Sequence, residues 1–412
     1  MNPFQLSPEK LTDQFMNWHE IYPKSYDKMA IDPYTRVRVI LMNGTEFEAV
    51  WYSHQFHRHE GNNDLRRELS LLRRQEQQQQ KKLACLKPLN ETPLEHTIGY
   101  EQLAVDLTAI LAQRVTCPHV KSALDFALLE DFDHLYRYAD LLEMEQGIYA
   151  EKLVGNYTEI MPGRPTISEH RAPFDALCLP GKKDAALFDK MAVQIITAAE
   201  QQTMNYYMNL CGQHPTDLGR RLYQEIGLIE EQHVTQYGSL MDPGCSWLEG
   251  LLMHQYVECY LYYSCMEDET DPMVKQVWQH FFQMEVAHLH KAAQLLQQYE
   301  GKDWQQVIPG GEFPAPLHFQ TNIDYVRSAL QMAHFTAEKE QFKPVSMLPP
   351  DYDFFRFQRT INADVHQVPS HLVIDEMIRR SGRDYRAECA PSPLPELRDR
   401  SLDNTSLGRA PQ

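Results

Sequence analysis

Three apolar-periodic segments of this 412-residue chain each carry an acid three residues before a histidine: Asp131 with His134, Glu230 with His233, and Glu285 with His288. In a chain with 57 acids and 18 histidines, chance alone gives roughly two or three such pairs. The pairs therefore count only through their surroundings, and the surroundings repeat. One residue after each histidine stands Leu135, Val234 or Leu289; five after, Ala139, Gly238 or Ala293; seven after, Leu141, Leu240 or Leu295. Tyr138 and Tyr237 follow the first two histidines by four residues. A fixed set of offsets used three times is the signature of a repeated helical unit.

Proline and glycine punctuation places each of these units in a pair of helices. The first pair spans about 93–115 and 119–146, broken around Thr116-Cys117-Pro118. The second spans about 184–212 and 216–241, broken at Gly212 to Pro215. The third spans about 246–269 and 273–299, broken at Thr270-Asp271-Pro272. An irregular stretch at 150–183, holding Pro162, Gly163, Pro165, Pro173, Pro180 and Gly181, lies between the first and second pairs, whereas Asp242 to Cys245 alone separates the second from the third.

Outside these pairs, Arg36 to Tyr52 alternates partly at period two on either side of Asn43-Gly44, which predicts a small β-hairpin. His54, His57 and His59 beside Glu60 then read as an exposed loop after that hairpin, with a second metal site as the sharper alternative. Residues 62–86 are charged and Gln-rich, with Leu65, Leu69 and Leu72 at helical spacing, which predicts an exposed amphipathic helix whose glutamine run is solvated surface. Asn322 to Glu340 reads as one more helix, and the Pro-, Ser-, Arg- and Asp-rich residues from Ala390 onward as disordered. The expected organisation is thus 1–91 as a β-hairpin plus amphipathic helix, 92–300 as a mainly α bundle of three antiparallel helix pairs, and 301–412 as a partly disordered extension.

The helix before each repeated unit supplies a glutamate at matched distance. Glu101 precedes Asp131 by the same interval as Glu200 precedes Glu230, and the interval from Glu258 to Glu285 is slightly shorter. At about 1.5 Å of rise per residue, a glutamate about 12 residues before the bend stands level with an acid about 14 residues after it. An acid and a histidine three residues apart share a helix face, so each hairpin offers two carboxylates and one imidazole at one height. Such groups do not stay buried on inward faces without a compensating cation. Two facing hairpins would supply four carboxylates and two histidines, the dinuclear arrangement of carboxylate-rich bundles. Oxygen and imidazole donors suit iron or manganese, and the absence of thiolates argues against structural zinc.

In these residues the chain resembles the ferritin-like di-iron carboxylate superfamily, over about 93–299. The resemblance implies a metal-binding helical bundle that reacts with oxygen or peroxide, with ligands among Glu101, Asp131, His134, Glu200, Glu230, His233, Glu258, Glu285 and His288. This sequence departs from that pattern in having three ligand hairpins where a dinuclear site needs two. The second and third pairs carry the consensus letters. The opposed sense of the two hairpins in that superfamily needs a long crossover, which the 150–183 stretch supplies between the first and second pairs. Both pairings stay open, as does a cluster of all three.

Composition narrows the partners. With 39 Lys+Arg against 57 Asp+Glu, the net charge of −18 repels phosphate backbones and anionic lipid surfaces, so neither nucleic acid nor membrane is an expected partner. No apolar run reaches the roughly 20 residues of a spanning helix. Met1 to Tyr22 lacks the sections of a signal peptide, which predicts a cytoplasmic protein. Eight scattered cysteines without a Cys-x-x-Cys pair read as reduced, mostly buried thiols, Cys211, Cys259 and Cys265 among them. No nucleophile elbow, phosphate loop, dinucleotide fingerprint or His-Glu-x-x-His stretch occurs. Tyr206, Tyr207, Tyr256, Tyr260, Tyr262 and Tyr263 crowd the second and third pairs, mainly as aromatic packing.

The expectation is an O2-activating dinuclear iron (or Mn/Fe) oxidase or oxygenase acting on a small organic molecule, with two iron ions, or manganese or a mixed pair, and with an electron donor and a homodimer as candidate partners. A ferroxidase without organic substrate is the rival reading, and a scaffold protein with vestigial ligands the third.

Overall fold

The computed structural model describes residues 1–163, 185–338 and 341–384; the tail from Ala390 and most of the 150–183 stretch lie outside the described residues. Eight long helices dominate the described residues: α1 (Pro33–His59), α2 (Asn63–Ala84), α3 (Pro93–Arg114), α4 (Pro118–Gln146), α5 (Leu187–Gln213), α6 (Asp217–Gly238), α7 (Trp247–Asp268) and α8 (Pro272–Glu300). Helices stand at the positions of all three expected pairs; α3 packs on α4 and α7 on α8, and α1 with α2 forms a further pair.

Local chemistry accounts for the helix ends. Thr92 and Ser246 cap α3 and α7 in reciprocal boxes with Glu95 and Glu249. Pro93, Pro118 and Pro272 open α3, α4 and α8 at positions where a missing N–H costs nothing. Gly147 and Gly301 end α4 and α8 with φ of 66° each, a left-handed conformation that disfavours other residues.

The expected N-terminal β-hairpin is corrected. Residues 36–52 lie inside α1, which Asp32 caps through the Tyr34 N–H and Pro33 starts. Val37, Val39 and Leu41 do alternate, but Arg36, Arg38, Ile40 and Met42 between them are buried as well. A helix enclosed on all sides has no polar face, so its sequence shows no helical period. The buried arginines are matched by acids: Arg36 lies 3.3 Å from Glu91, and Arg38 lies 2.8 Å from Asp268 and 3.0 Å from Glu269. His54, His57 and His59 accordingly sit in the last turns of α1, not on a loop.

The helix at 62–86 is present as α2, yet its glutamines are not all surface. Gln75, Glu76 and Gln79 are buried in register with Leu65, Leu69, Leu72 and Leu83. The helix expected over Asn322 to Glu340 is also corrected: it covers only Ile323–Ala329, followed by a single tighter turn. Phe335–Glu338 then pairs antiparallel with Gln341–Pro344, Phe335 opposite Pro344 and Glu338 opposite Gln341. Aromatic and β-branched residues at Phe335 and Thr336 favour that strand, and this small sheet is the β structure of the described residues. Of the six described cysteines, Cys259 and Cys265 are buried, Cys85 and Cys245 are exposed, and Cys117 and Cys211 are intermediate.

The chain divides into two compact units. The first comprises 1–91, 182–199 and 242–319, and the second 92–181, 200–241 and 320–412. In the first, α1 packs on α2 and α7, and α8 packs on α7 and α2. In the second, α4 packs on α3 and α6, and the helix Pro369–Ser381 lies against α4 and α6. Helix α5 begins in the first unit, and from Glu200 onward it belongs to the second. Among the described residues, no helix is long and apolar enough to cross a membrane.

Candidate metal centre

The second unit gathers residues from four helices into one buried cluster. Glu101 stands as far before Arg114, the end of α3, as Asp131 stands after Pro118, the start of α4, so the two are level across the bend. One turn further along, His134 shares the face of Asp131, as His233 shares that of Glu230 on α6. Glu200 comes from α5. All six side chains are at most 1 % exposed.

Their donor atoms form two overlapping sets. Atoms of Asp131, Glu200, Glu230 and His233 lie within 4.8 Å of one another, and so do atoms of Glu101, His134 and Glu230. Ligands bound at about 2.0–2.2 Å to one ion are separated by up to roughly 4.4 Å, close to the upper bound on the spread of either set. Glu230 belongs to both. Its Oε1 lies 3.1 Å from Nδ1 of His134, and its Oε2 lies 3.2 Å from Nδ1 of His233.

The hydrogen bonding leaves this cluster incomplete. Both carboxylate oxygens of Asp131, Oε1 of Glu200, Oε2 of Glu101 and Nε2 of His134 are buried without a hydrogen-bond partner. Buried polar atoms are ordinarily hydrogen-bonded, and a cation could satisfy these orphans. The donor set of carboxylates and imidazoles fits iron or manganese.

The protons of the metal-free cluster show the same demand. Burial, reinforced by Glu230, raises the carboxyl of Glu200 to about 8. Burial and the neighbouring carboxylates push Glu101 and Asp131 well above the usual range. For Glu230 burial acts upward too, but hydrogen bonds from His134 and His233 outweigh it and hold the carboxylate at about 2. Burial works against a charged His233, yet the adjacent Glu130 and the hydrogen bonds to it raise that imidazole well above its ordinary value. In the absence of a cation, protons compensate the carboxylates.

Sequence reasoning missed Glu130 and the role of Tyr207. Glu130 accepts a hydrogen bond from Nε2 of His233, and nothing in the sequence tells that it meets a histidine from another helix. The Tyr207 hydroxyl donates to Oε1 of Glu101 at 2.6 Å. Its ring lies 5.2 Å from Tyr138 and 5.5 Å from Tyr223, and Tyr206 stacks on Tyr100 at 4.4 Å. The hydroxyls of Tyr138 and Tyr237 are buried without partners.

Of the nine candidate ligands, six converge here. The other three, Glu258, Glu285 and His288, belong to the first unit, and the two close donor sets draw on the first and second helix pairs. No protein-family model, curated protein or solved structure matches the chain.

Proposed function

We propose that the second unit is a dinuclear non-haem iron centre of the ferritin-like carboxylate kind, with manganese or a mixed pair as the alternative metals, which uses O2 to oxidise a small organic molecule. The observation that supports this reading is the sharing of Glu230 between two buried donor sets. Glu101, His134 and Glu230 would hold one ion, and Asp131, Glu200, Glu230 and His233 the other. Four carboxylates would balance two divalent ions, which removes the cost of burying either set of charges alone.

Bound iron(II) supplies the electrons for reducing O2, a capacity that side chains lack. The chain's own residues have separable tasks. Glu230, common to both donor sets, would be shared by the two ions. Glu130 holds Nε2 of His233 and turns Nδ1 toward the carboxylates, the second layer of contact that orients a ligating imidazole. Asp131 is one methylene shorter than the Glu230 that matches it on α6. The Tyr207 hydroxyl holds a proton 2.6 Å from Oε1 of Glu101 and can return it when that carboxylate changes its charge. Tyr138 and Tyr237, fully buried beside the ligands, help to exclude bulk water.

Anaerobic loading with Fe(II) followed by O2 tests the proposal. A change in the visible spectrum that depends on oxygen and is lost in Glu230→Gln is the expected result. A protein that binds iron but shows no oxygen-dependent change would sink the oxidase reading.

A further inference from the structure

The first unit contains a second cluster that the functional reading leaves unused. Glu46 on α1, Glu76 and Gln79 on α2, Glu258 on α7, and Glu285 and His288 on α8 are all at most 1 % exposed. Glu46 precedes Glu76 by the same interval that separates Glu101 from Asp131 and Glu200 from Glu230. Glu76 stands one turn before Gln79, as the acid stands before histidine in the other three hairpins. The α1–α2 hairpin is therefore a fourth copy of the same donor pattern, with an amide in the imidazole position.

Each of the four carboxylates has one oxygen held and the other free. Oε1 of Glu46 accepts from the Tyr262 hydroxyl at 2.5 Å. Nε2 of Gln255 donates to Oε1 of Glu76 at 3.0 Å and to Oε2 of Glu258 at 2.6 Å. Nε2 of Gln79 donates to Oε1 of Glu285 at 2.6 Å, and Nδ1 of His288 lies 3.0 Å from that oxygen. Oε2 of Glu46, Oε2 of Glu76, Oε1 of Glu258, Oε2 of Glu285, Oε1 of Gln79 and Nε2 of His288 are buried with no partner. Among the described residues, no lysine or arginine forms a salt bridge with any of the four acids. Arg73 is near enough for Glu76 to act on its charge, and one such cation is too little to match four carboxylates in a buried interior.

We propose that this cluster is a second metal site, taking a divalent first-row cation on Glu46, Glu76, Glu258, Glu285 and His288. Oxygen donors with one imidazole suit Mn(II), Fe(II) or Co(II). The amide of Gln255 sits between Glu76 and Glu258, and the donors here form no set as close as those of the second unit. Turning the Gln79 amide over exchanges its N–H donors for Oε1, a neutral ligand where the other hairpins have histidine. A neutral oxygen in place of an imidazole makes this the weaker site of the two. The chain thus carries one site of high affinity and one that fills only at higher metal concentration.

Co(II) titration under anaerobic conditions, read by atomic emission after desalting and by Co(II) absorption, tests the assignment on the full chain. Binding beyond about two equivalents per chain is expected, with the excess lost in Glu285→Gln and His288→Asn and retained in Glu230→Gln. Gln79→His, which adds a donor instead of removing one, should tighten the weaker phase by roughly tenfold or more. Far-UV circular dichroism establishes that each variant is folded. Failure of a folded Glu230→Gln protein to bind Co(II), or binding that Glu285→Gln, His288→Asn and Gln79→His all leave unchanged, overturns the second site. Neither result bears on the O2 chemistry proposed for the first, which is read from the wild-type spectrum.

Discussion

Glu130 accepts the hydrogen bond from Nε2 of His233, so the opposite nitrogen of that ring faces Asp131 at 3.5 Å, Glu200 at 3.7 Å and Glu230 at 3.2 Å. Glu130→Gln removes the negative charge while keeping the shape. Metal affinity of the second unit is expected to fall about 10–100-fold, with little loss of helix content. Competition against a fluorescent chelator measures it, and unchanged affinity would remove Glu130 from the centre.

Glu230 is common to both donor sets, and this makes its substitution different in kind from the others. Glu230→Gln is expected to weaken both bound ions together, whereas Glu101→Gln should affect mainly one and Glu200→Gln mainly the other. The exposed neighbour Glu231 provides the control, since Glu231→Gln should leave the stoichiometry alone. Metal counts after exhaustive dialysis distinguish these outcomes.

The metal-free protein should lose stability as pH rises. Glu200 titrates near 8 when folded against 4.5 ordinarily, and Glu76 near 7. Below pH 4.5 both folded and unfolded chains carry these protons. Between 4.5 and 8 the unfolded chain releases them while the folded chain retains them, so the folded state loses ground through that window. Glu101 and Asp131, also raised, act in the same sense, and Glu230, held near 2, has its effect only at acid pH below 4.5. Cations displace the same protons, so metal should bind more tightly at pH 8 than at pH 6. Melting temperatures from pH 5 to 8, with chelator and with Co(II), should show a falling series in the first and a flatter or rising one in the second.

Gly250 on α7 faces Tyr52 on α1, whose hydroxyl donates to the Trp247 carbonyl at 2.7 Å. A Cβ at Gly250 would overlap that hydroxyl oxygen, so Gly250→Ala should destabilise the protein by about 1–3 kcal/mol through overpacking. Adding Tyr52→Phe should return part of the loss, because the overlapping atom is then absent. Chemical denaturation of the single and double variants measures the coupling.

The helix pairs and the six converging ligands were legible because amphipathic or punctuated helices leave marks: Pro118 and Pro272 at starts, Gly147 and Gly301 at ends, acids and histidines three apart. Helix α1 was not legible, since Arg36 and Arg38 are buried against acids remote in sequence, and a helix without a solvent face loses its period. Asn43-Gly44 then imitated a hairpin turn inside it. The same misreading hid Glu46 and Glu76, although their spacing matches the other copies, and Gln79 concealed the motif by replacing the histidine. Glu130 was invisible for another reason: its partner is 103 residues away.

The alternation of segments between the two units, 1–91 and 242–319 in one with 92–181 and 200–241 in the other, fixes an order of events during synthesis. Helices α3 to α6 are complete once residue 241 has emerged, and the inner cluster can close then. Helices α1 and α2, made first, must wait for α7 and α8 with Glu46, Glu76 and Gln79 still open to solvent. The first unit therefore closes only when 242–319 has been made, and the second is finished later still, when the helix Pro369–Ser381 reaches α4 and α6. A cut after residue 91 leaves every segment of the second unit on one fragment, and a cut after residue 319 leaves every segment of the first, so 92–412 and 1–319 are the fragments that should retain a folded unit.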